Sequence, residues 1–200
     1  KGALHTHELM REVFTSALRT LRRASHVFVV DVPGFPRPLI VTDAAINIAP
    51  SIEEKLHIIQ NAVDLAQVIG IDVPRVALLS AVETVSQQVK STVEAAKLRD
   101  IALHGGVSGA IVDGPLSLDL ALSVEAARIK GVASPVAGCA DILVVPSLES
   151  GNFLYKAMIY LARAEGAGIV LGARVPIILT SRAGSVQGRI ASCALALLYT

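Results

Sequence analysis

Apolar positions near the start of the chain recur first at helical and then at extended spacing. Spacings of three and four residues predict a first helix, over 6–21, that buries one face. Two short β-rich runs follow, 27–31 and 39–42, and the turn between them holds three prolines and a glycine. These runs predict two strands joined by a rigid turn.

Strand and helix patterns then alternate to the end of the chain. Ser51 and Glu54 have capping-box spacing before an apolar stripe that ends at Gly70, and Ser91 with Glu94 opens another predicted helix. The other predicted strands are 75–79, 110–113, 141–145, 168–171 and 176–180, and the other predicted helices are 117–130, 153–165 and 185–198. This alternation predicts an α/β fold, with a mostly parallel sheet and helices on both faces.

Composition narrows the possible partners. The chain has 200 residues, 52% of them hydrophobic, and a formal net charge of +1. This charge gives no electrostatic reason to expect nucleic acid or a membrane surface. The apolar run 190–199 is about half of the ~20 residues that a bilayer requires. Because no secretory signal pattern is visible, we expect a cytoplasmic protein.

The loop after the predicted strand 176–180 could bind an anion. Ser181 and Arg182 lead through Gly184 and Ser185 into an apolar helix. Unpaired amides at a helix start favour an anion, and a guanidinium can bind two phosphate oxygens. The alternative is that Ser181 and Ser185 only cap the helix while Arg182 faces solvent.

A second loop with similar chemistry follows the predicted strand 141–145. Ser150, Gly151 and Asn152 precede Lys156, which could reach an anion one turn into the next helix. Glycine lets a ligand approach the backbone, and Asn152 offers both a donor and an acceptor. A generic turn followed by a helix cap would explain the same residues.

Two further strand ends carry one carboxylate each. Asp43 with Asn47 follows one strand, and Asp113 with Gly114 follows another. The carboxylates could orient an arginine or a backbone amide near a ligand, or could simply stabilise turns.

The five histidines and the two cysteines, Cys139 and Cys193, show no metal-ligand spacing, and we expect both cysteines to be core residues.

Taken together, five short motifs resemble the phosphate acetyltransferase and phosphate butyryltransferase family. Their order and spacing match the family along nearly the whole chain, and the likeness is greatest to the butyryltransferase-like branch, including the transacylase part of proteins fused to an enoyl-CoA hydratase-like domain. The motifs are Lys1-Gly2-Ala3-Leu4-His5-Thr6, Thr42-Asp43-Ala44-Ala45-Ile46-Asn47, Asp113-Gly114-Pro115-Leu116, Ser150-Gly151-Asn152 with Tyr155-Lys156, and Ser181-Arg182.

The resemblance implies an isocitrate dehydrogenase-like fold with two subdomains around a cleft, commonly in a homodimer. It assigns residues 1–200 to one transferase domain that lacks its amino-terminal part. It also implies exchange of an acyl group between coenzyme A and phosphate in a ternary complex. Acyl-CoA and phosphate, or acyl phosphate and CoA, are the substrates, with no metal or bound cofactor.

The resemblance also suggests roles for individual residues. Arg182 would bind the phosphate, Arg11 would be a second phosphate clamp, and Ser181 would donate to the developing oxyanion or the thiol. Acetate-specific members carry an acidic residue, a proposed base for the CoA thiol, where this chain has Gly188. This departure leaves the base unidentified and favours a longer or branched acyl group.

Two other functions stay open on the sequence. Similar domains follow malic enzymes and sense acetyl-CoA without catalysing transfer, so a regulatory binding module is one alternative. A metal-dependent 2-hydroxyacid dehydrogenase of the same fold is another, but Asp43 and Asp113 alone are too few ligands for a divalent cation.

Overall fold

A computed structural model describes residues 6–181 and 183–200 of the chain. Its helices are α1 (Thr6–Thr15), α2 (Ile52–Val68), α3 (Lys90–Ile101), α4 (Leu118–Leu122), α5 (Val124–Lys130), α6 (Leu148–Tyr160) and α7 (Val186–Tyr199), and a π-helical turn, Ala102–Gly106, follows α3. Its strands are β1 (Ser25–Asp31), β2 (Leu39–Thr42), β3 (Arg75–Leu79), β4 (Ile111–Leu116), β5 (Ile142–Val144), β6 (Glu165–Leu171) and β7 (Ile177–Ile178).

The strands of this part of the chain form one sheet in the order β4-β3-β5-β2-β1-β6-β7. β2, β3, β4 and β5 are parallel, whereas β1 is antiparallel to both β2 and β6, and β7 is antiparallel to β6. Five of the seven strands therefore run in one direction, which confirms the predicted α/β fold with a mostly parallel sheet. The division into two subdomains around a cleft remains a prediction.

Alternating apolar residues on the strands build a core on each face of the sheet. Ile40, Val76 and Ile142 pack with α2, α3 and α7 on one face. Val41 and Leu143 pack with α4, α5 and α6 on the other. Because both faces are covered, these strands are apolar throughout, as buried parallel strands are.

The capping-box prediction is confirmed at α2 and wrong at α3. Ser51 accepts a hydrogen bond from the backbone of Glu54, and Glu54 accepts one from the backbone of Ser51. At α3 the cap is Val89, without a side-chain bond, and Glu94 pairs instead with buried Lys55 (2.6 Å). Spacing alone does not distinguish these cases because Glu94 has a stronger partner on α2.

Several element boundaries differ from the prediction. The helix predicted over 117–130 is two helices, because Ser123 is extended and its hydroxyl caps α5. The one predicted over 153–165 begins at Leu148, behind a capping box of Ser147 and Ser150. The strand predicted over 110–113 continues to Leu116. The first predicted helix ends at Thr15.

The apolar end of the chain forms α7. In the described part of the chain, no helix combines the length and apolarity needed to cross a membrane. Cys193, on α7, is exposed and Cys139 is half-buried, so the prediction that both cysteines are core residues is wrong for Cys193.

Candidate active site

The predicted site residues lie at two edges of the sheet. The carboxyl ends of β2, β3, β4 and β5 share one edge, near Asp43 and the start of α6. β7 is antiparallel to β6, so the chain leaves Ile178 toward the amino end of β6, and Ser181 lies near that opposite edge. α6 runs between the two edges, because it connects the carboxyl end of β5 to the amino end of β6.

Asp43 organises the turn that follows β2. Its carboxylate accepts four hydrogen bonds of 2.6 to 3.1 Å, from the backbone N–H groups of Ala45, Ile46 and Asn47 and from the Asn47 side chain. Asn47 also donates to the Ala24 carbonyl (2.8 Å). Both side chains are buried. Their contacts stabilise this turn against β1, which is the turn role that the sequence left open.

Ser150 and Gly151 belong to the first turn of α6, and Asn152 begins the second. The Ser150 hydroxyl donates to the Ser147 carbonyl (2.8 Å), and Asn152 donates weakly to the Ala44 carbonyl (3.4 Å). A Cβ on Gly151 would lie 2.8 Å from the Ala44 side chain, so glycine lets α6 pack directly on the Asp43 turn. Lys156 follows, exposed.

Asp113 and Gly114 lie inside β4, on the far side of the sheet. Five strand spacings, about 24 Å in all, separate β4 from β6. Asp113 accepts a bond from the Gly114 backbone (2.8 Å). The structure therefore does not bring this pair near Ser181. The sheet order decides this separation, and it cannot be read from the sequence.

Of the two arginines expected to bind phosphate, only Arg11 is among the described residues. Arg182, like the first motif residues Lys1 to His5, lies outside the described residues. Arg11, on α1, is 72% exposed and pairs with the adjacent Glu12 (3.3 Å). No described contact links Arg11 to Ser181.

A cavity of about 370 Å³ opens at the amino end of β6, between α6 and α7. Ser181 and Ser185 line it, and Phe28, Tyr155, Ile159 and Leu179 supply apolar surface that is called the apolar wall. Arg163, Glu165 and Arg189 supply charges. In the described part of the chain, β7 pairs with only two residues of β6, so residues 165–168 have a strand partner only on the β1 side.

Two long-range hydrogen bonds fix the loop that carries Ser181. At its start, the His26 ring nitrogen Nε2 donates to the Leu179 carbonyl (2.9 Å). At its end, the Ser185 hydroxyl donates to Glu165 (3.3 Å) and accepts from the Gly188 N–H, capping α7. Ser181 itself is exposed, and its hydroxyl accepts from the Ala183 backbone (3.3 Å). Ser185 therefore does cap the helix.

A row of three rings lies over β6 beside the cavity. His26 contacts Phe28 (ring centroids 4.1 Å apart), and Phe28 stacks on Tyr155 (3.7 Å). A Cβ on Gly166 would lie 2.7 Å from the Tyr155 hydroxyl, and one on Gly168 would overlap the rings of His26 and Phe28. The sequence pattern did not predict these rings as part of a site, although two glycines inside a strand indicate close approach of another group.

Burial changes the acidity of two rings in this row. Burial lowers the pKa of His26, and its bond to Leu179 and the charge of Asp43 only partly oppose this. Burial, with smaller contributions from Glu165 and Tyr160, raises the pKa of Tyr155. Both rings are therefore neutral near pH 7.

Gly188 lies in the first turn of α7, against the edge of β6. A Cβ at this position would lie 2.6 Å from the Gly166 carbonyl oxygen. One turn later, the Ser192 hydroxyl accepts from the Gly168 N–H (2.9 Å). The helix packs too closely for a side chain at position 188, which explains the departure found in the sequence.

The family described as phosphate acetyl/butaryl transferase matches residues 2–197 of the chain. The chain belongs to this family. Members of the transferase family that resemble it include a phosphate acetyltransferase of Rhizobium meliloti, 60% identical over all of this chain and 64% of the relative. A phosphate butyryltransferase of Clostridium beijerinckii is 44% identical over 99% of this chain and 66% of the relative.

Solved structures of the transferase family share the fold. A branched-chain phosphotransacylase from Enterococcus faecalis superposes with a TM-score of 0.89, at 38% identity, over all of this chain and 72% of that one. The family resemblance is therefore confirmed, and the comparisons give no support to the regulatory alternative. The chain spans less than two thirds of the length of the Rhizobium relative.

Proposed function

We propose that this chain carries the acyl-transfer site of a phosphate acyltransferase, which exchanges an acyl group between CoA and inorganic phosphate. One observation carries the proposal: Ser181 stands on the rim of a cavity that joins a helix amino terminus to an apolar wall. A volume of about 370 Å³ lies in the range of small-molecule sites. The relatives named above support the reaction class.

The side of the cavity formed by α7 suits a phosphate. The first N–H groups of the helix and its dipole favour an anion, and Arg189 adds a positive charge on this side. Arg182, next to Ser181 in the chain, is proposed to bind two phosphate oxygens. Arg11 is the second proposed clamp, and it would have to leave Glu12 to reach a ligand.

The apolar residues that line the cavity suit an acyl group. Phe28, Tyr155, Ile159 and Leu179 form this wall, and burying an acyl chain against such apolar side chains is favourable. We infer that it accepts chains longer than acetyl. This agrees with the names of relatives that act on butyryl and branched-chain groups.

The reaction then needs little from the protein beyond positioning and charge stabilisation. The CoA thiolate attacks the carbonyl carbon of the acyl phosphate, the carbonyl oxygen becomes negative, and phosphate leaves. Ser181 donates a hydrogen bond to that oxygen. One such donor contributes about 3 kcal/mol to lowering the barrier. CoA is a substrate, and the proposed chemistry uses no bound cofactor or metal.

The remaining predicted residues have supporting places in this proposal. Lys156 is exposed one turn beyond Asn152, where it could meet the phosphates of CoA, and Ser185 holds the start of α7. Asp43, Asn47, Ser150 and Gly151 act indirectly, by fixing the start of α6. Asp113 and Gly114 lie far from the cavity in this chain. They would contact the substrate only through a part of it that extends beyond the cavity.

Assembly and location are also proposals. The exposed apolar residues Val186, Ile190 and Leu197 on α7 support a homodimer, because large apolar side chains on one helix favour burial. Light scattering of the intact protein would give the oligomeric state. The use of CoA and acyl phosphate supports a cytoplasmic location.

The test is phosphate-dependent turnover. The intact protein should consume acyl-CoA and form acyl phosphate only when phosphate is present. Arg182→Ala should lower turnover a hundredfold or more, whereas Arg174→Ala, in the exposed turn before β7, should not. Acyl-CoA binding without phosphate-dependent turnover in the wild-type protein would rule the proposal out.

A further inference from the structure

The proposed reaction needs a group that removes the proton from the CoA thiol. Position 188 cannot provide it, because a side chain there would collide with the Gly166 carbonyl (2.6 Å). Any proton acceptor must therefore come from another element that faces the same cavity.

Few side chains on the described wall of the cavity can accept a proton. The ionisable ones are Tyr155, Tyr160, Arg163, Glu165 and Arg189. Arginine stays protonated, and burial raises the pKa of Tyr155, which keeps its phenol neutral. Glu165 is the only carboxylate among these described wall residues.

Glu165 lies where the missing acidic residue would be needed. It is the first residue of β6, next to Gly166, whose carbonyl contacts the first turn of α7. Its Oε2 accepts a hydrogen bond from the Ser185 hydroxyl (3.3 Å). The same hydroxyl accepts from the Gly188 N–H (2.9 Å), so Ser185 connects the carboxylate to position 188.

The loop direction places this carboxylate close to Ser181. The chain runs from β7 toward the amino end of β6, and both Ser181 and Glu165 line the cavity there. Glu165 and Tyr155 line the same cavity, and the charge of Glu165 contributes to raising the pKa of Tyr155. The other ionisable groups that line the cavity are Tyr155 and Tyr160 on α6, Arg163 before β6 and Arg189 on α7, and Asp31 on β1 is the cross-strand neighbour of Glu165.

We propose that Glu165 is the catalytic base of the transfer reaction, replacing the acidic residue that position 188 cannot carry. The inference rests on the proposed function. The Glu165 carboxylate takes the proton from the CoA thiol as sulfur bonds to the acyl carbon. The bond between that carbon and the phosphate oxygen then breaks, and Glu165 returns the proton to the departing phosphate. Acyl phosphate and CoA thus become acyl-CoA and hydrogen phosphate.

The experiment measures acyl-CoA formation from butyryl phosphate and CoA by the intact protein. Glu165→Gln should lower kcat at about pH 7 by a hundredfold or more, with the KM for butyryl phosphate changed less than about threefold. Glu165→Asp, which keeps a shorter carboxylate, should retain more activity than Glu165→Gln. Glu53→Gln removes an exposed carboxylate on α2 and is the matched control, with no expected change.

A pH series separates a base from a merely structural residue. A thiol ionises by itself above about pH 8.5, so the deficit of Glu165→Gln should shrink as the pH rises to about 9.5. A deficit that is equal at every pH, or activity of Glu165→Gln within about threefold of wild type, would overturn the inference. If Glu165→Gln unfolds, Glu165→Ala takes its place in the same pH series, and activity of Glu165→Ala within about threefold of wild type at about pH 7 would overturn the inference as well.

Failure of the proposed function gives a different result. If the wild-type protein forms no acyl-CoA from any acyl phosphate between acetyl and hexanoyl phosphate, the proposed function itself is wrong. If wild type is active and Glu165→Gln is equally active, only the assignment of Glu165 as the base is wrong. Nearby cations such as Arg163 and Arg189 would then favour the thiolate by lowering the pKa of the CoA thiol.

Discussion

Gly188 on α7 and Gly166 on β6 are in direct backbone contact, and a Cβ on Gly188 would lie 2.6 Å from the Gly166 carbonyl oxygen. The contact brings the first turn of α7 onto the open edge of β6. Both glycines line the cavity, and their contact excludes an acidic residue at position 188.

Restoring the acidic residue at position 188 should consequently damage the protein. We expect Gly188→Asp to lower the free energy of unfolding by about 1–3 kcal/mol, the usual cost of overpacking, and to lower kcat. Urea unfolding and steady-state kinetics would measure both. Gln187→Asp, which adds a carboxylate at the exposed neighbouring position, should leave stability nearly unchanged. Higher kcat in a stable Gly188→Asp variant would contradict the packing argument.

Ser181 should contribute mainly to the transition state. Ser181→Ala removes the proposed oxyanion donor and should lower kcat about a hundredfold, with little change in KM. The side chain is exposed, so the melting temperature should stay within about 2 °C of wild type. Ser108→Ala, a distant serine between α3 and β4, is the control. A change in KM alone would assign Ser181 to ground-state binding.

The apolar wall should control acyl-chain preference. Ile159→Ala removes three carbons from the wall and should favour longer acyl groups. We expect the ratio of kcat/KM for an acyl group one or two methylenes longer to kcat/KM for the shorter one to rise about tenfold. A series from acetyl to hexanoyl phosphate would show the shift. Leu161→Ala, at a position 83% exposed and absent from the described wall, should not change the preference. The same preference in both variants would place the acyl group elsewhere.

His26 should make stability depend on pH. Its pKa in the folded protein is lowered from 6.5 by burial, so the unfolded chain binds the proton more readily. The stability that neutral His26 contributes is therefore fully present above about pH 6.5 and is lost as the pH falls toward the lower folded pKa. His26→Gln should flatten the fall in unfolding free energy between about pH 7.5 and 5.5. His104→Gln, on the surface, should not, and equal slopes in wild type and His26→Gln would refute the assignment.

Asp43 should be needed for folding more than for binding. The Asp43 carboxylate accepts hydrogen bonds from four donors. In Asp43→Asn, the NH2 group that replaces one carboxylate oxygen would face one or two of these donors and could not accept from them. We expect a loss of about 3 kcal/mol in unfolding free energy, because buried donors would be left unpaired. Asp72→Asn, at an exposed turn, should change little. If Asp43→Asn kept full stability and lost substrate affinity, the binding role suggested by the sequence would be favoured.

Local sequence signals were reliable where the interacting residues are close in the chain. The Ser51 and Glu54 capping box predicted α2 correctly, because both partners lie within one helical turn. The alternation of strands and helices predicted the α/β class for the same reason. The equivalent spacing at Ser91 and Glu94 failed, since Glu94 binds Lys55, thirty-nine residues away in sequence.

The sequence by itself determined the family, the fold class and the short motifs, because each depends on residues near one another along the chain. Only the tertiary structure decided which motifs meet. The sheet order separates Asp113 from Ser181, and the antiparallel β7 carries Ser181 to the amino end of β6, beside Glu165. The rings of His26, Phe28 and Tyr155 gather there because two glycines of β6 leave room. Such long-range pairings arise from packing across the sheet, and no spacing in the sequence reports them.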